Sequence, residues 1–596
     1  MNNHKRSSTI LLALFFCVML SNALFAQAPG EMKLEQLIRV DAQPFMTQER
    51  LSHGYFVFRF KIQNQDLKPH KVKLSCYDIA SKSFDLQPGE TINASLPMPV
   101  TNSHFGNSVQ VSANNKNLYT VSCPMRRELT SYSSRYRSKY ITYSPDEDSI
   151  NHTVLICRSL RKRFAEVECI FAEKDCKYWP QDRMDYSCLD FIFLTPVELG
   201  AAPEGVQTAL KQFVLSGGVL WFFECDTQKE AFDQIEWVAQ IIKEAPPKEE
   251  SSHNSLVKQY PAGFGAVVVT TDNASFERLY GQNVPDKEVF NLFYKSFDSK
   301  PSWFEKNGLN ELQKWFPVVS DLSIPLLGIS IVILLFVLLA GPINLFLLTT
   351  YNKRILLLVT VPVLSFLFAG AILLYVILAD GFNTDARIAS GAYLDQRSGT
   401  YSSLSQYGVY ARTTPRNVVF DSDDELNISD NSDDERLSID WTSGKQVVSS
   451  RFATVRKPAY YKIRKAGTTR LKLDFDFNGD NPYVVNGLGK DVKQLFVRDA
   501  KGSLWKAENI AAGQKASLSP VDKLDDKNQS KEEMLRYCIS TSRWDFNEFS
   551  INMQKRANSL RPGSYIATFS SSGPFASKGI SYAKEKNSFT FLFGQF

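Results

Sequence analysis

The chain has 596 residues, room for three or four domains, and its 22% charged and 44% apolar content is that of globular protein rather than disorder. A net charge of +5 over this length, with no basic patch interleaved with aromatics, gives no case for a nucleic-acid partner. The composition names no cofactor, and none is expected.

At the N-terminus Lys5 and Arg6 precede the apolar run ILLALFFCVML, and SNALFAQA follows. These are the three regions of a secretory signal peptide in order, placed at 1–28. Cleavage after Ala26 or Ala28 fits; the second has the better A-x-A match but leaves Pro29 next. Cys17 has no lipobox before it, so lipidation is not expected. Left uncleaved, the segment would be a third membrane helix. Export permits disulfides among the remaining cysteines. Cys157, Cys169, Cys176 and Cys188 lack the paired spacing of a zinc site. Cys76 and Cys123 lie near the ends of two strand-like runs, where a disulfide and buried thiols both fit. The leader and the few cysteines point to a bacterial envelope protein.

From 35 to 125 the pattern is all-β. GYFVFRFKIQNQD alternates, with Phe56, Phe58, Phe60 and Ile62 on one side and Tyr55, Val57, Arg59 and Lys61 on the other. HKVKLSCYDI follows the turn DLKP, and Pro88-Gly89 marks another turn before a strand. This grammar predicts an immunoglobulin-like β-sandwich. Arg126–Tyr143, rich in Ser, Arg and Tyr, reads as a linker or peripheral strand.

Between 150 and 275 the period changes. TVLIC, ECIFA, LDFIFLTP and VLWFF read as buried strands, and RSLRKRFAEV as a helix. In PEGVQTALKQFVLSGG, residues Val206, Ala209, Leu210, Phe213 and Val214 form one helical face, opened by Pro203 and stopped by Gly217. PAGFGAVVVTTD adds a strand near 265–271. Alternation of strand and helix predicts a parallel α/β sheet. The run Leu189–Phe223, with its strand, loop, helix, Gly-Gly and apolar strand, resembles the core of class I glutamine-amidotransferase-like domains. Followed by GFGAVVV and a membrane hairpin containing GPIN, it is similar to uncharacterised bacterial envelope proteins. It also resembles auxiliary subunits of gliding-type ABC transport systems. The resemblance covers a third to half of the chain and implies an amidotransferase/flavodoxin-like fold.

Active members of that superfamily carry a nucleophilic cysteine on a glycine-flanked elbow, and the nearest candidate here is Cys225 in WFFECDTQK, with His253 as its base. Glu224 and Asp226 stand where glycine would permit the strained turn, and two carboxylates disfavour the thiolate. His253 sits in the polar segment KEESSHNS. The expectation is therefore a scaffold or ligand-binding domain with no catalytic residues, the alternative being a Cys-dependent hydrolase or amidotransferase-like enzyme.

A connector, 276–321, contains VFNLFYKSF and NELQKWF, which read as short amphipathic helices. Trp303, Phe304, Trp315 and Phe316 suit both an interfacial aromatic belt and ordinary packing. Two apolar runs then fill 324–379, each exceeding the roughly 20 residues that span a bilayer. Only Asn352, Lys353 and Arg354 separate them, a tight turn whose basic residues belong in the cytoplasm. Asp321 and Asp380 flank the outer ends. Both large flanks are thereby placed on the periplasmic side of the inner membrane. Gly341-Pro342 should bend the first helix, and Asn344 should hydrogen-bond to another helix, within the hairpin or on a partner. With no Asp, Glu, Lys or Arg inside the spans, transport by this hairpin is not expected.

After the hairpin, 383–465 reads as a β-rich region and 466–596 as a β-sandwich-like domain. LKLDFDFNGD mimics the opening of a calcium loop, but Val485 stands twelfth from Asp474 where the bidentate Glu belongs. Strand alternation explains it without an ion. The acidic run 421–435 reads as a solvated loop, and KEEMLRYCISTSRWDFNEFSINMQKRA as a helical insertion or long loop. LRPGSYIATF and SFTFLFGQF close the chain as strands. The whole predicts a multidomain membrane protein: a non-enzymatic envelope component, accessory to or scaffolding a larger membrane complex of ABC-type or chaperone-linked kind. Its partners are the bilayer and other envelope membrane proteins.

Overall fold

A computed structural model describes residues 37–42, 54–76, 79–99, 108–122, 154–156, 170–171, 175–189, 191–223, 225, 229–244, 257–270, 316–319, 326–351, 354–416, 418–428, 438–449, 452–479, 481–521 and 560–596. The leader, RSLRKRFAEV, His253, most of the connector, Lys353 and the 531–557 insertion lie outside them. So do Cys123, Cys157, Cys169 and Cys538.

The N-terminal part is β-rich. Strands Ile38–Ala42, Tyr55–Asn64 and Thr91–Pro99 form an antiparallel sheet. Phe56, Phe58, Phe60 and Ile62 are buried as expected, while Arg59 is half-buried and Lys61 exposed. Tyr55 departs from its side of the pattern and is buried as well. A second sheet holds His70–Cys76, Ala80–Leu86, Ser108–Ala113 and Lys116–Ser122. Three more of its strands come from beyond the apolar helices: Ile439–Asp440, Gln446–Val448 and Val418–Phe420. Ile439 pairs in parallel with Ala80 and Asp440 with Ser81, and the Ile439 and Trp441 N–H groups donate to Ile79 and Ser81 carbonyls at 2.8 Å. This sheet therefore exceeds the expected 35–125 boundary. Its closing strands come from so far along the chain that no local pattern announces the pairing.

Strands Val154–Ile156, Ile170–Phe171, Phe191–Leu194, Val219–Phe222 and Gly265–Thr270 run parallel, in the spatial order second, first, third, fourth, fifth. Val257–Ala262 adds an antiparallel edge. The helix Glu204–Leu215 buries Val206, Ala209, Leu210, Phe213 and Val214, the face read from the sequence. Both faces of the central strands are apolar, because both are covered. Trp221 is buried and its indole N–H donates to Thr270 Oγ1 at 2.8 Å. A side chain at Gly265 would meet the Gly218 carbonyl oxygen 2.1 Å from its Cβ, so glycine is what lets this strand approach the helix-to-strand turn.

Helices Leu326–Leu338 and Asn344–Thr350 are joined by a π-helical segment, Leu339–Ile343, and a 3-10 turn at Arg354–Leu356 leads into Leu357–Asp380. The expected bend at Gly341-Pro342 takes the form of this wider turn. Pro342 has no N–H to give, and the Asn344 N–H reaches back five residues to the Leu339 carbonyl.

Beyond the hairpin, Thr384–Asp395 and Thr400–Ala411 are the centre of a ten-stranded sheet. It continues through Pro458–Thr468 to Glu425–Ile428 on one side. On the other it passes through Phe589–Gln595, Ser564–Phe569, Val492–Arg498 and Leu504–Ile510 to Ser519–Pro520. One sheet thus runs through the expected 465/466 boundary. Thr400–Ala411 is buried at every residue, serines included. The helix Glu204–Leu215 packs against it, and Phe420 and Phe452 lie against Tyr407.

The far half of this sheet faces a small one, Leu473–Asp476, Tyr483–Asn486 and Lys515–Ser517, across a core that includes Val484, Leu495, Val497, Tyr565 and Leu592. This unit and the N-terminal one share a corner. Asn64 and Asn486 are fully buried at strand ends. The Asn64 amide N–H groups donate to the carbonyls of Lys68, Leu86 and Gln87, and those of Asn486 to Lys490, Ile510 and Ala511. Each Oδ1 accepts the N–H two residues on, and each backbone N–H donates to a turn, at Glu90 and Gln514, closed by a glycine with positive φ.

Candidate functional site

In a parallel sheet the carboxyl ends of the strands are where ligands and catalytic groups gather. Here Phe191–Leu194 ends in Thr195, which caps the helix Pro196–Gly200 in a reciprocal capping box with Glu198. The Glu198 carboxylate thus serves the helix end. Val219–Phe222 runs into Phe223, whose N–H donates to the Leu194 carbonyl at 3.2 Å, and then to Cys225. Cys225 is buried, its sulfur 4.0 Å from the Phe223 carbonyl oxygen. The helix Lys229–Asp233 follows it. A nucleophile elbow needs a strand turning directly into a helix with the nucleophile presented outward. At Cys225 the described geometry has the thiol buried rather than presented outward.

The acidic run has more structure than a solvated loop. Asp421, Asp423 and Asp424 bring carboxylate oxygens within 4.8 Å of one another. Lys465 Nζ occupies that centre, 2.8 Å from Asp421, 3.6 Å from Asp423 and 3.4 Å from Asp424. Burial pulls its ammonium down, and Asp424, Tyr401, Asp421 and Asp423 together more than reverse this, holding it charged. A lysine already supplies the cation there, so the donor set does not fit a metal. The calcium-loop mimic folds as a strand, with Asp474 opposite Val485 and 3.4 Å from Lys472.

A larger charged constellation lies at the junction of three parts of the chain. Glu425, fully buried, accepts from Arg464 Nε and Nη2 at 2.7 Å each and from Arg183 Nη1 at 3.2 Å. Arg464 Nη2 also donates to the Ser187 carbonyl at 2.8 Å, and Arg183 Nη2 to the Asp423 carbonyl at 2.6 Å. Both arginines are buried. Beside them Arg59 makes a two-pronged ion pair with buried Asp185. Burial pushes the Asp185 carboxyl up to about 6 in spite of Arg59. The Tyr55 backbone N–H donates to Ser187 Oγ at 2.9 Å, and its hydroxyl donates to Gln446 Oε1 at 2.9 Å. Gly54, at φ +75°, lies where a Cβ would strike the Ser187 carbonyl at 2.4 Å. Residues 54–59 and 183–187 are thus locked to Glu425, Gln446 and Arg464 by buried polar groups. The alternation sets Tyr55 and Arg59 on the side opposite the phenylalanines and the acidic run reads as solvated, while Arg183, Asp185, Ser187 and Arg464 carry no sequence signal; the apolar Leu426 directly after Glu425 was the available sign that the acidic run turns inward.

The hairpin satisfies its own polar group: Asn344 Nδ2 donates to Thr360 Oγ1 at 2.8 Å across the two helices. A Cβ on Gly328 would lie 2.1 Å from the Tyr375 hydroxyl, so this glycine admits the tyrosine of the opposite helix. Outward, Ile331, Leu334, Phe346, Phe366 and Leu373 are among many apolar side chains left exposed. Gly328–Thr350 and Arg354–Tyr375 are each long and apolar enough to cross a membrane.

No protein-family model matches this chain, and no curated protein matches it. Among solved structures, one similar chain is the yeast delta-COP-I mu-homology domain complexed with a Dsl1 WxWxV peptide. It is 11% identical with a TM-score of 0.15, the match covering 35% of this chain and 95% of that one.

Proposed function

We propose that this protein is a non-enzymatic envelope component held in the bacterial inner membrane by its two-helix hairpin, an accessory or scaffold subunit of a larger membrane complex. The observation that carries this reading is the interlock of the two flanks. Ile439 pairs with Ala80, and Arg183 shares Glu425 with Arg464. Such contacts do not form across roughly 30 Å of hydrocarbon. If the helices span, both flanks are therefore on one face and the turn at 351–354 on the other. The charge of Lys353 and Arg354 puts that turn in the cytoplasm and the joined flanks in the periplasm. The apolar surface of the hairpin, with little of it covered by the described chain, suits lipid.

The parallel unit is read as the amidotransferase/flavodoxin-like domain that the sequence resembles; its second-first-third-fourth-fifth strand order supports this. Its role is structural, its helix Glu204–Leu215 being used to cover the central sheet. The test is protease added to spheroplasts. Both flanks should be digested only after long exposure and at the same rate, as one interlocked body. A flank protected while the other is lost would overturn the topology. Replacing 324–379 with an unrelated hairpin should then lower recovery of membrane partners while export persists; unchanged recovery would reduce the hairpin to an anchor.

A further inference from the structure

We propose that the end of the ten-stranded sheet where the hairpin joins it is a docking face for a bilayer surface carrying anionic headgroups. This rests on the reading that the two helices cross a membrane. The helix Leu357–Asp380 ends at Gly381, whose positive φ of 77° turns the chain, and Thr384 already belongs to the central strand. Four residues reach at most about 14 Å. The stretch before the first helix is fixed at the same end. Arg387 Nη1 donates to the Pro317 carbonyl at 3.0 Å, and its guanidinium lies 4.6 Å from the centre of the Phe316 ring. Both entrances of the hairpin are therefore rooted on one rim, which must lie near the headgroup layer.

That rim is basic and aromatic. The register places Thr384 opposite Ala411, Tyr410 opposite Pro458 and Asp385 opposite Lys584. Arg416, Arg456, Lys457 and Lys584 are all exposed there. The Arg456 N–H donates to the Ala411 carbonyl, and the Arg416 N–H to the Tyr582 hydroxyl. Phe382 and Tyr582 are 63% and 53% exposed, although most large apolar side chains outside the hairpin are covered. Two acids of this rim are turned inward. Asp385 is buried between Arg412 at 2.8 Å and Lys586 at 3.0 Å, and Glu585 pairs with Lys578 at 2.6 Å. Exposed rings beside cations, at the depth of the interface, are the combination that seats a protein on anionic lipid.

The test uses the full chain in vesicles of phosphatidylcholine, with and without phosphatidylglycerol. Nitroxide labels go on Phe366→Cys in the second helix, Tyr582→Cys on the rim, and Ser398→Cys at the other end of the central strand pair, about 36 Å away by strand rise. Accessibility to oxygen and to a polar relaxant is read for each. The Phe366 label should be shielded from the polar relaxant in both lipids, and the Ser398 label open in both. The Tyr582 label should become shielded when phosphatidylglycerol is present. It should lose that shielding in high salt and in the variant carrying R416Q, R456Q, K457Q and K584Q. Tyr582 as open as Ser398 in both lipids would overturn the docking face, as would shielding indifferent to phosphatidylglycerol and to the four substitutions. An open Phe366 would instead overturn the membrane reading on which it rests.

Discussion

Replacing Glu425 with glutamine should be among the most damaging single changes in the chain. The side chain is fully buried and accepts three hydrogen bonds from two guanidiniums that are themselves only 3% and 4% exposed. E425Q keeps the shape and removes the one carboxylate between them. Two buried cations then face a neutral amide, and one of its former acceptor sites becomes a donor. Breaking a buried pair in this way costs about 3–5 kcal/mol. Removing all three charges at once should cost less, because no ion is left uncompensated; the comparison is R183M, E425L and R464M together. The assay is urea unfolding of the full chain in detergent micelles, with limited proteolysis following each flank. E425Q should lower the first unfolding midpoint and release both flanks to protease together, while the triple variant retains more stability. A loss below about 1 kcal/mol, in the range of an exposed pair, would refute the argument, as would equal losses in the two variants.

Asp185 should give a pH signature. Its carboxyl is raised by burial from the usual 3.8 to about 6, so its contribution to stability is fully present below pH 3.8 and is lost as pH rises through 6. Wild type minus D185N, followed by urea midpoint, should decline across that window, and a flat difference would exclude the shift. N64A and N486A should each cost about 1–3 kcal/mol by stranding buried carbonyls, read as faster amide exchange in the strands of the affected unit. In the hairpin, N344L and T360V should each weaken helix pairing by about 0.6–1.7 kcal/mol, and the double variant should be no worse than either. Additive losses in a double-mutant cycle would mean that the two side chains do not act as a pair.

Local periodicity made several elements legible. The alternation in Tyr55–Asn64, the helical face of Glu204–Leu215 and the two apolar spans all stand in the structure where the residues placed them. What escaped was burial set by distant partners. Asp424 and Glu425 read as solvated because their neighbours are acidic; they are buried because Lys465, Arg183 and Arg464 come to them from elsewhere in the chain. Thr400–Ala411 falls in the region read only as β-rich, and its serines give no sign that packing closes both faces. Ser403 and Ser405 are accommodated by hydrogen bonds to the Phe575 carbonyl and Ser390. The sequence shows donors and acceptors but not which of them will meet.

The same interlock bears on how the chain folds. The strand Ala80–Leu86 has Ile439–Asp440 as its neighbour on one side, and Ser83 N–H donates to Thr442 Oγ1 across 359 residues. During N-to-C synthesis that edge of the second sheet stays unpaired until the hairpin and the strands after it have emerged. An unpaired edge is a template for mispairing. The sequence on that edge, ASKSFDL, limits the hazard with Lys82 and Asp85, and the strand is short. The buried ion pairs have the same dependence: Arg183 is made long before Glu425 and Arg464, and in their absence it has every reason to remain in water. Formation of the Arg183–Glu425–Arg464 cluster is therefore expected late, after the hairpin is in place. It follows that the pre-hairpin flank, expressed alone, should retain its local hairpins but lack the strands that complete the second sheet.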